Sequence, residues 1–235
     1  EVYPRDNLTD PIIAQQSPIS GIFGVRTLPG LRDYVTNEKD ADHYCTPKPP
    51  EDEHKEANFA LIIKDKQQRF LLATLLLCLP KTDILTVDLH SSPARTPIAG
   101  MASVYGELWD DSANAPASWA VVRVTPPNNK KVRAIADERG MFHLMLPHPA
   151  PKNSGVLHEM KWDIKCEVFF KPKDRRYASP RWPPDMRWIL NQDQANIRDG
   201  ADGNGDGEKT IQRSLQHQTP LVLRTQNEKR LIIKP

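Results

Sequence analysis

The 235-residue sequence predicts a mainly β protein: an antiparallel β-sandwich with an extended, proline-rich N-terminal arm and one or two short helices. Three observations carry that expectation. Proline makes up 22 residues against 11 glycines, about 9% where about 5% is usual. Proline is excluded from helix interiors and central strands, so stiff connections between short strands are favoured. Four short apolar stretches fall between Ala102 and Leu146, at the spacing of about 8–12 residues found in sandwiches. Finally, Trp162, Ile164, Cys166, Val168 and Phe170 alternate with Lys161, Asp163, Lys165, Glu167 and Phe169, a period of two that buries one face of a strand and wets the other.

Taken in order, residues 1–58 carry little periodicity. Proline recurs at 4, 11, 18, 29, 47, 49 and 50, and charge clusters in Asn37–Asp42 and Glu51–Glu56. This is the expected arm. Its exception is Gly21–Gly30 (GIFGVRTLPG), apolar enough to anchor on something. Residues 59–235 are expected to form the sandwich domain. FALIIKD and RFLLATLLLCLP around Lys66-Gln67-Gln68 predict two strands and a polar turn, and Ile84–Leu89 a third strand. His90–Gly100, with Pro93 and Pro97, predicts a linker.

In the central block, Ala102, Val104, Gly106 and Leu108 share one face of a strand, and Ser103, Tyr105, Glu107 and Trp109 the other. Asp110–Ala117 is a turn cluster. Trp119–Thr125, Lys131–Asp137 and Met141–Leu146 follow as strands, the last two joined by Glu138-Arg139-Gly140. Short helices are expected over Met186–Gln194 and Lys209–His217. A C-terminal hairpin is expected from Pro220–Thr225 and Arg230–Lys234 about Gln226-Asn227-Glu228.

Composition excludes several function classes. Lys and Arg total 32 against 30 Asp and Glu, a net charge of +2, which lacks the clustered basic excess of a nucleic-acid or membrane-surface binder. The longest apolar run, Leu71–Leu79, is far short of the roughly 20 residues that span a bilayer. Three cysteines, Cys45, Cys78 and Cys166, do not make a disulfide framework. Cys78 and Cys166 are expected as small buried hydrophobes, a usage that suits a reducing compartment. Glu1–Asp10 is polar, with no signal-peptide pattern.

No catalytic motif is present: no G-x-S-x-G, H-E-x-x-H, P-loop, C-x-x-C or G-x-G-x-x-G after a strand. The protein is therefore expected not to be an enzyme. His43, Cys45 and His54 lack a fourth ligand at a standard spacing and are read as a solvated loop. Asp199–Glu208 (DGADGNGDGE) is more suggestive. Asp202, Asn204 and Asp206 before Gly207 reproduce the first half of a calcium loop. The second half fails, because Arg213 stands where the bidentate carboxylate belongs. Weak calcium binding at most is expected, through Asp202, Asn204, Asp206 and Glu208; no other cofactor is expected. Trp182 and Trp188, beside arginines, are read as core cover or subunit contact, with a ligand platform as the alternative.

The block ASVYGELWDDSANAPASWAVVRV, followed by RAIADERGMFHLMLP, resembles the carboxypeptidase regulatory-like fold, a transthyretin/immunoglobulin-like β-sandwich. Val104, Gly106 and Leu108 match its V-x-G-x-L strand; Asp137, Gly140 and Phe142 match its D-x-x-G-x-F turn. The resemblance covers residues 102–147 and implies a non-catalytic module. The wider order, from GIFGVRTLPGLRDY through the Asp65–Leu71 turn to the C-terminal hairpin, resembles such proteins encoded in clusters for phage tail-like contractile injection systems. That implies a structural component, present in several copies, in contact with sheath, tube, baseplate or cap proteins. The assembly would form in the cytoplasm and could be released as an extracellular particle. The alternatives are a secreted carbohydrate-binding or adhesive β-sandwich module and a transthyretin-like hydrolase. The hydrolase would need His with Arg or Ser clustered at one end of the sandwich, and the sequence offers no such cluster.

Overall fold

The computed structural model describes residues 1–4, 8–25, 59–78, 85–148, 160–198 and 207–235. The protein is mainly β. The chain forms two compact units that interleave in sequence. The first comprises Glu1–Lys64, Leu72–Asp88 and Arg176–Met186; the second comprises Asp65–Leu71, Leu89–Arg175 and Arg187–Pro235.

In the first unit, β1 (Val2–Pro4), β4 (Phe59–Ile63) and β5 (Ala73–Leu77) form one antiparallel sheet, with Val2 opposite Leu61 and Phe59 opposite Leu77. The first residues are thus a strand of this sheet, with Val2 buried, rather than the start of an extended arm. The expected pair from FALIIKD and RFLLATLLLCLP is present. The expected third strand is not: residues 85–89 have no strand partner, and Leu85 and Leu89 are exposed. Asp185 covers the far side of β5. Its buried carboxylate accepts the Leu76 amide at 2.8 Å, satisfying a donor that an open edge would leave to water. Tyr3, Ala60, Ile62 and Leu76 form the core, with Trp182 packed on it.

The second unit holds two sheets whose inward faces share one apolar core, consistent with a β-sandwich. In the first, β10 (Met141–Pro147), β6 (Met101–Asp110), β15 (Leu231–Lys234) and β12 (Asn196–Ile197) lie side by side, and β7 (Ala115–Pro116) and β14 (Leu221–Leu223) also pair with β6. In the second, the order is β13 (Ile211–Gln216), β11 (Lys161–Phe169), β8 (Val121–Thr125) and β9 (Val132–Ile135). The alternations of β6 and β11 hold as expected: Val104 and Leu108, then Ile164, Cys166 and Val168, are all fully buried.

Two turns fix the register. Asp137 accepts the Arg139 and Met141 amides, each at 2.9 Å, and Gly140 takes φ +78°, as the D-x-x-G pattern requires. The register then sets Phe142 opposite Gly106, and a Cβ on Gly106 would fall 2.6 Å from the Phe142 ring. The glycine of V-x-G-x-L makes room for the aromatic of D-x-x-G-x-F. β8 starts at Val121 because Trp119 stands at φ +66°, its carbonyl held by Gln192 at 2.7 Å.

Two expectations are corrected. Lys209–His217 is not helical; its centre is strand β13. Ile211 and Leu215, both buried, are four apart, a spacing that fits one helix face and one strand face equally. The C-terminus is not a hairpin. β14 and β15 both pair parallel to β6, Leu221 opposite Val104 and Leu231 opposite Leu108, as one interrupted strand. The excursion between them closes on itself: the Thr225 amide donates to the Arg230 carbonyl, and the Thr225 hydroxyl accepts the Ile232 amide. The helix expected from 186 is a short one, α1 (Met186–Leu190).

Candidate functional site

The most exposed large apolar side chain among the described residues, Ile19, sits on a hairpin of the first unit. Between Ile12 and Gly24 the first unit extends a two-stranded hairpin. Its base is fixed by reciprocal bonds of 2.8 Å between Val2 and Ile12. β2 (Gln15–Gln16) and β3 (Phe23–Gly24) pair antiparallel, and Ser17 donates to the Ile22 carbonyl at 2.8 Å. The turn is held at several points. Pro18 has its φ set by its ring, the Ser17 hydroxyl accepts the Ser20 amide at 3.3 Å, and Gly21 takes φ +70° while donating to the Ser17 carbonyl.

At the tip of this turn stands Ile19, 97% exposed, with Phe23 at 66%, Ile13 at 61% and Ile22 at 48%. Turn chemistry selects proline, glycine and serine; it does not select isoleucine at the outermost point. Burying an Ile or Phe stabilises by about 1.5–3 kcal/mol, and here that free energy is unused. The result is an uncharged, apolar projection whose turn is closed by its own hydrogen bonds. The sequence flagged only the second half of this element, GIFGV. The missed signal is Ile19 inside Ser17-Pro18-Ile19-Ser20-Gly21, a large apolar residue within a strong turn sequence.

The expected calcium ligands are not brought together in anything that can be described. Asp202, Asn204 and Asp206 lie outside the described residues. Glu208 is exposed, and its backbone bridges to Ile197 at 2.7 and 2.8 Å. It borders an open depression of about 780 Å³ on the outer face of the second sheet with Thr125, Lys131, Lys165, Glu167, Thr210 and Gln212. Two lysines there oppose a cation. Glu167 is engaged elsewhere, by a bidentate pair with Arg123 at 2.7 Å for each bond. That pair holds the Glu167 carboxyl below the usual range. His43, Cys45 and His54 lie outside the described residues.

Trp182 packs 4.7 Å from Tyr3 in the core of its unit, the core cover expected for it, which removes one of the two tryptophans from a ligand platform. The cysteines differ from expectation in one respect. Cys166 is a free buried thiol, which burial pushes up to about 12, so it is unreactive. Cys78 is disulfide-bonded rather than a simple buried thiol.

The fold also joins residues that are far apart in sequence. His143 and Ser103, on the outward faces of β10 and β6, meet with His143 Nε2 3.3 Å from Ser103 Oγ. Tyr105 stacks on the imidazole at 4.2 Å. His143 is 0% exposed. Burial pushes its imidazole below the ordinary value; the Arg95 backbone opposes this and the Arg95 charge adds to it. A serine–histidine contact is half of a nucleophile and base arrangement; here both groups are buried, with the Arg95 backbone beside the imidazole.

No family model matches the chain, and neither a curated protein nor a solved structure matches it.

Proposed function

We propose that this protein is a non-catalytic structural component of a multiprotein particle, most consistent with a phage tail-like contractile injection system, and that the Ile13–Phe23 hairpin is its principal anchor on a neighbouring subunit. The supporting observation is the turn that holds Ile19 almost wholly in solvent with its backbone fixed in advance. A partner that buries Ile19 and Phe23 gains the hydrophobic term without ordering a flexible loop. The resemblance of the central block to a non-catalytic sandwich module supports the same reading, as does its wider likeness to particle-encoded proteins. Sheath, tube, baseplate or cap subunits are the partners this reading names.

The test is co-sedimentation. The tagged full-length chain, expressed with its neighbouring genes, is expected to pellet with particles that contain sheath and tube proteins. The Ile19→Asp/Phe23→Asp chain, folded by circular dichroism, should stay in the supernatant, with at least about a hundredfold loss of affinity for two lost anchors. Absence of the wild-type chain from particles sinks the assignment to a particle; equal pelleting of both chains sinks the hairpin as anchor.

A further inference from the structure

One end of the second unit carries a group of rings unrelated to the hairpin. His148 follows the end of β10, and His217 follows the end of β13. Their ring centroids are 4.5 Å apart, and they lie 5.8 and 6.2 Å from the ring of Trp162, which β11 points inward. The His217 amide donates to the Met160 carbonyl at 3.1 Å, which fixes that end of β13 to β11. Each imidazole has a buried Nδ1 with no hydrogen-bond partner. A buried nitrogen without a partner already costs about 1–3 kcal/mol, and a protonated imidazole, with two N–H donors and a charge to satisfy, costs more. No third metal-ligating side chain joins the pair among the described residues.

We propose that His148 and His217 form an acid-operated latch: with His148 neutral, the two rings in contact hold the ends of β10 and β13 against Trp162; protonation of His148 separates them and releases that end of the sandwich. Among the described residues, the groups facing the pair can be named by element. β11 contributes Trp162, while its neighbours Lys161 and Asp163 alternate to the opposite face. The end of β13 contributes His217, preceded by uncharged Gln216. Burial pushes the His148 imidazole below its ordinary value of 6.5, and the charge of His217 adds to it. The folded state therefore binds fewer protons than the unfolded chain. The latch is closed above about pH 6.5 and opens as the pH falls through the lower, folded value.

The experiment is amide hydrogen exchange of the full chain from pH 8 to 5, corrected for the intrinsic rate. Trp162 and Leu215, which face each other across β11 and β13, should lose protection about tenfold per pH unit for one linked proton. Val104 and Leu144 should keep theirs. His148→Phe/His217→Phe, which retains ring packing without the protons, should abolish the loss. A second measurement does not depend on that variant folding: by NMR of the wild-type chain, the His148 imidazole should titrate below 6.5, with the Trp162 indole following the same midpoint. Unchanged protection at Trp162, equal loss at Val104 and Leu144, persistence of the loss in the double variant, or a His148 titration that leaves Trp162 unmoved would each overturn the latch.

Discussion

The turns at Gly21 and Gly140 are built alike and finished differently. Each is closed by a polar side chain that accepts backbone amides, Ser17 in one and Asp137 in the other. Each has a glycine near φ +70° to +80°. In the second unit the tip is Glu138-Arg139, and the Arg139 side chain is 74% exposed in a salt bridge to Asp137. In the first unit the tip is Pro18-Ile19. The charged tip is what a turn in water is expected to have. The apolar tip shows that turn geometry and surface chemistry are set independently, and that only the geometry is explained by folding.

Substitutions can break or sharpen this comparison. The largest effect is expected at Gly140→Ala. The new Cβ would lie 2.4 Å from the Leu108 carbonyl oxygen, so strain adds to a clash with backbone. A loss of about 3 kcal/mol or more in urea unfolding is expected. Next, Arg123→Gln should cost about 1–2 kcal/mol at neutral pH, since the bidentate pair is only partly buried. It should also remove a pH dependence. Glu167 titrates below its ordinary 4.5 in the folded protein, so its contribution is full above about pH 4.5 and is lost as pH falls through the lower, folded value. Stability curves of wild type and variant should therefore converge in acid. Gly21→Ala should cost about 1 kcal/mol, because the nearest atom to the added Cβ is a flexible Gln16 side chain at 3.8 Å. Smallest is Ile19→Asp, expected within about 0.5 kcal/mol of wild type in the isolated protein. A large loss there would mean that the residue serves folding after all.

How much could be read from the sequence depended on the range of the information. β6, β10 and β11 were legible because their pattern is local: period-two burial, and an Asp137–Gly140 turn that specifies its own hydrogen bonds. β1 was not legible, since its partner Leu61 is separated from Val2 by most of the first unit and nothing in Val2-Tyr3-Pro4 names it. β13 was misread because Ile211 and Leu215 satisfy two periods at once. The parallel pairing of β14 and β15 leaves no mark on either segment; only β6 determines it. At the surface, apolar residues in Gly21–Gly30 hinted at an anchor, but the exposure of Ile19 is a property of the closed turn. The contact between Ser103 and His143 and the tilted ring contact of His148 with His217 are products of register, invisible until strands are paired.

β15 is the last strand in sequence, yet it lies in the interior of its sheet, between β6 and β12. Leu231 and Ile233 are wholly buried. On the ribosome, everything from Met101 onward must therefore wait with an open slot beside β6 until residues 231–234 emerge. Such long-range closure folds slowly and leaves a greasy seam exposed in the interval. During synthesis that seam beside β6, rather than the hairpin, is the surface most in need of a chaperone.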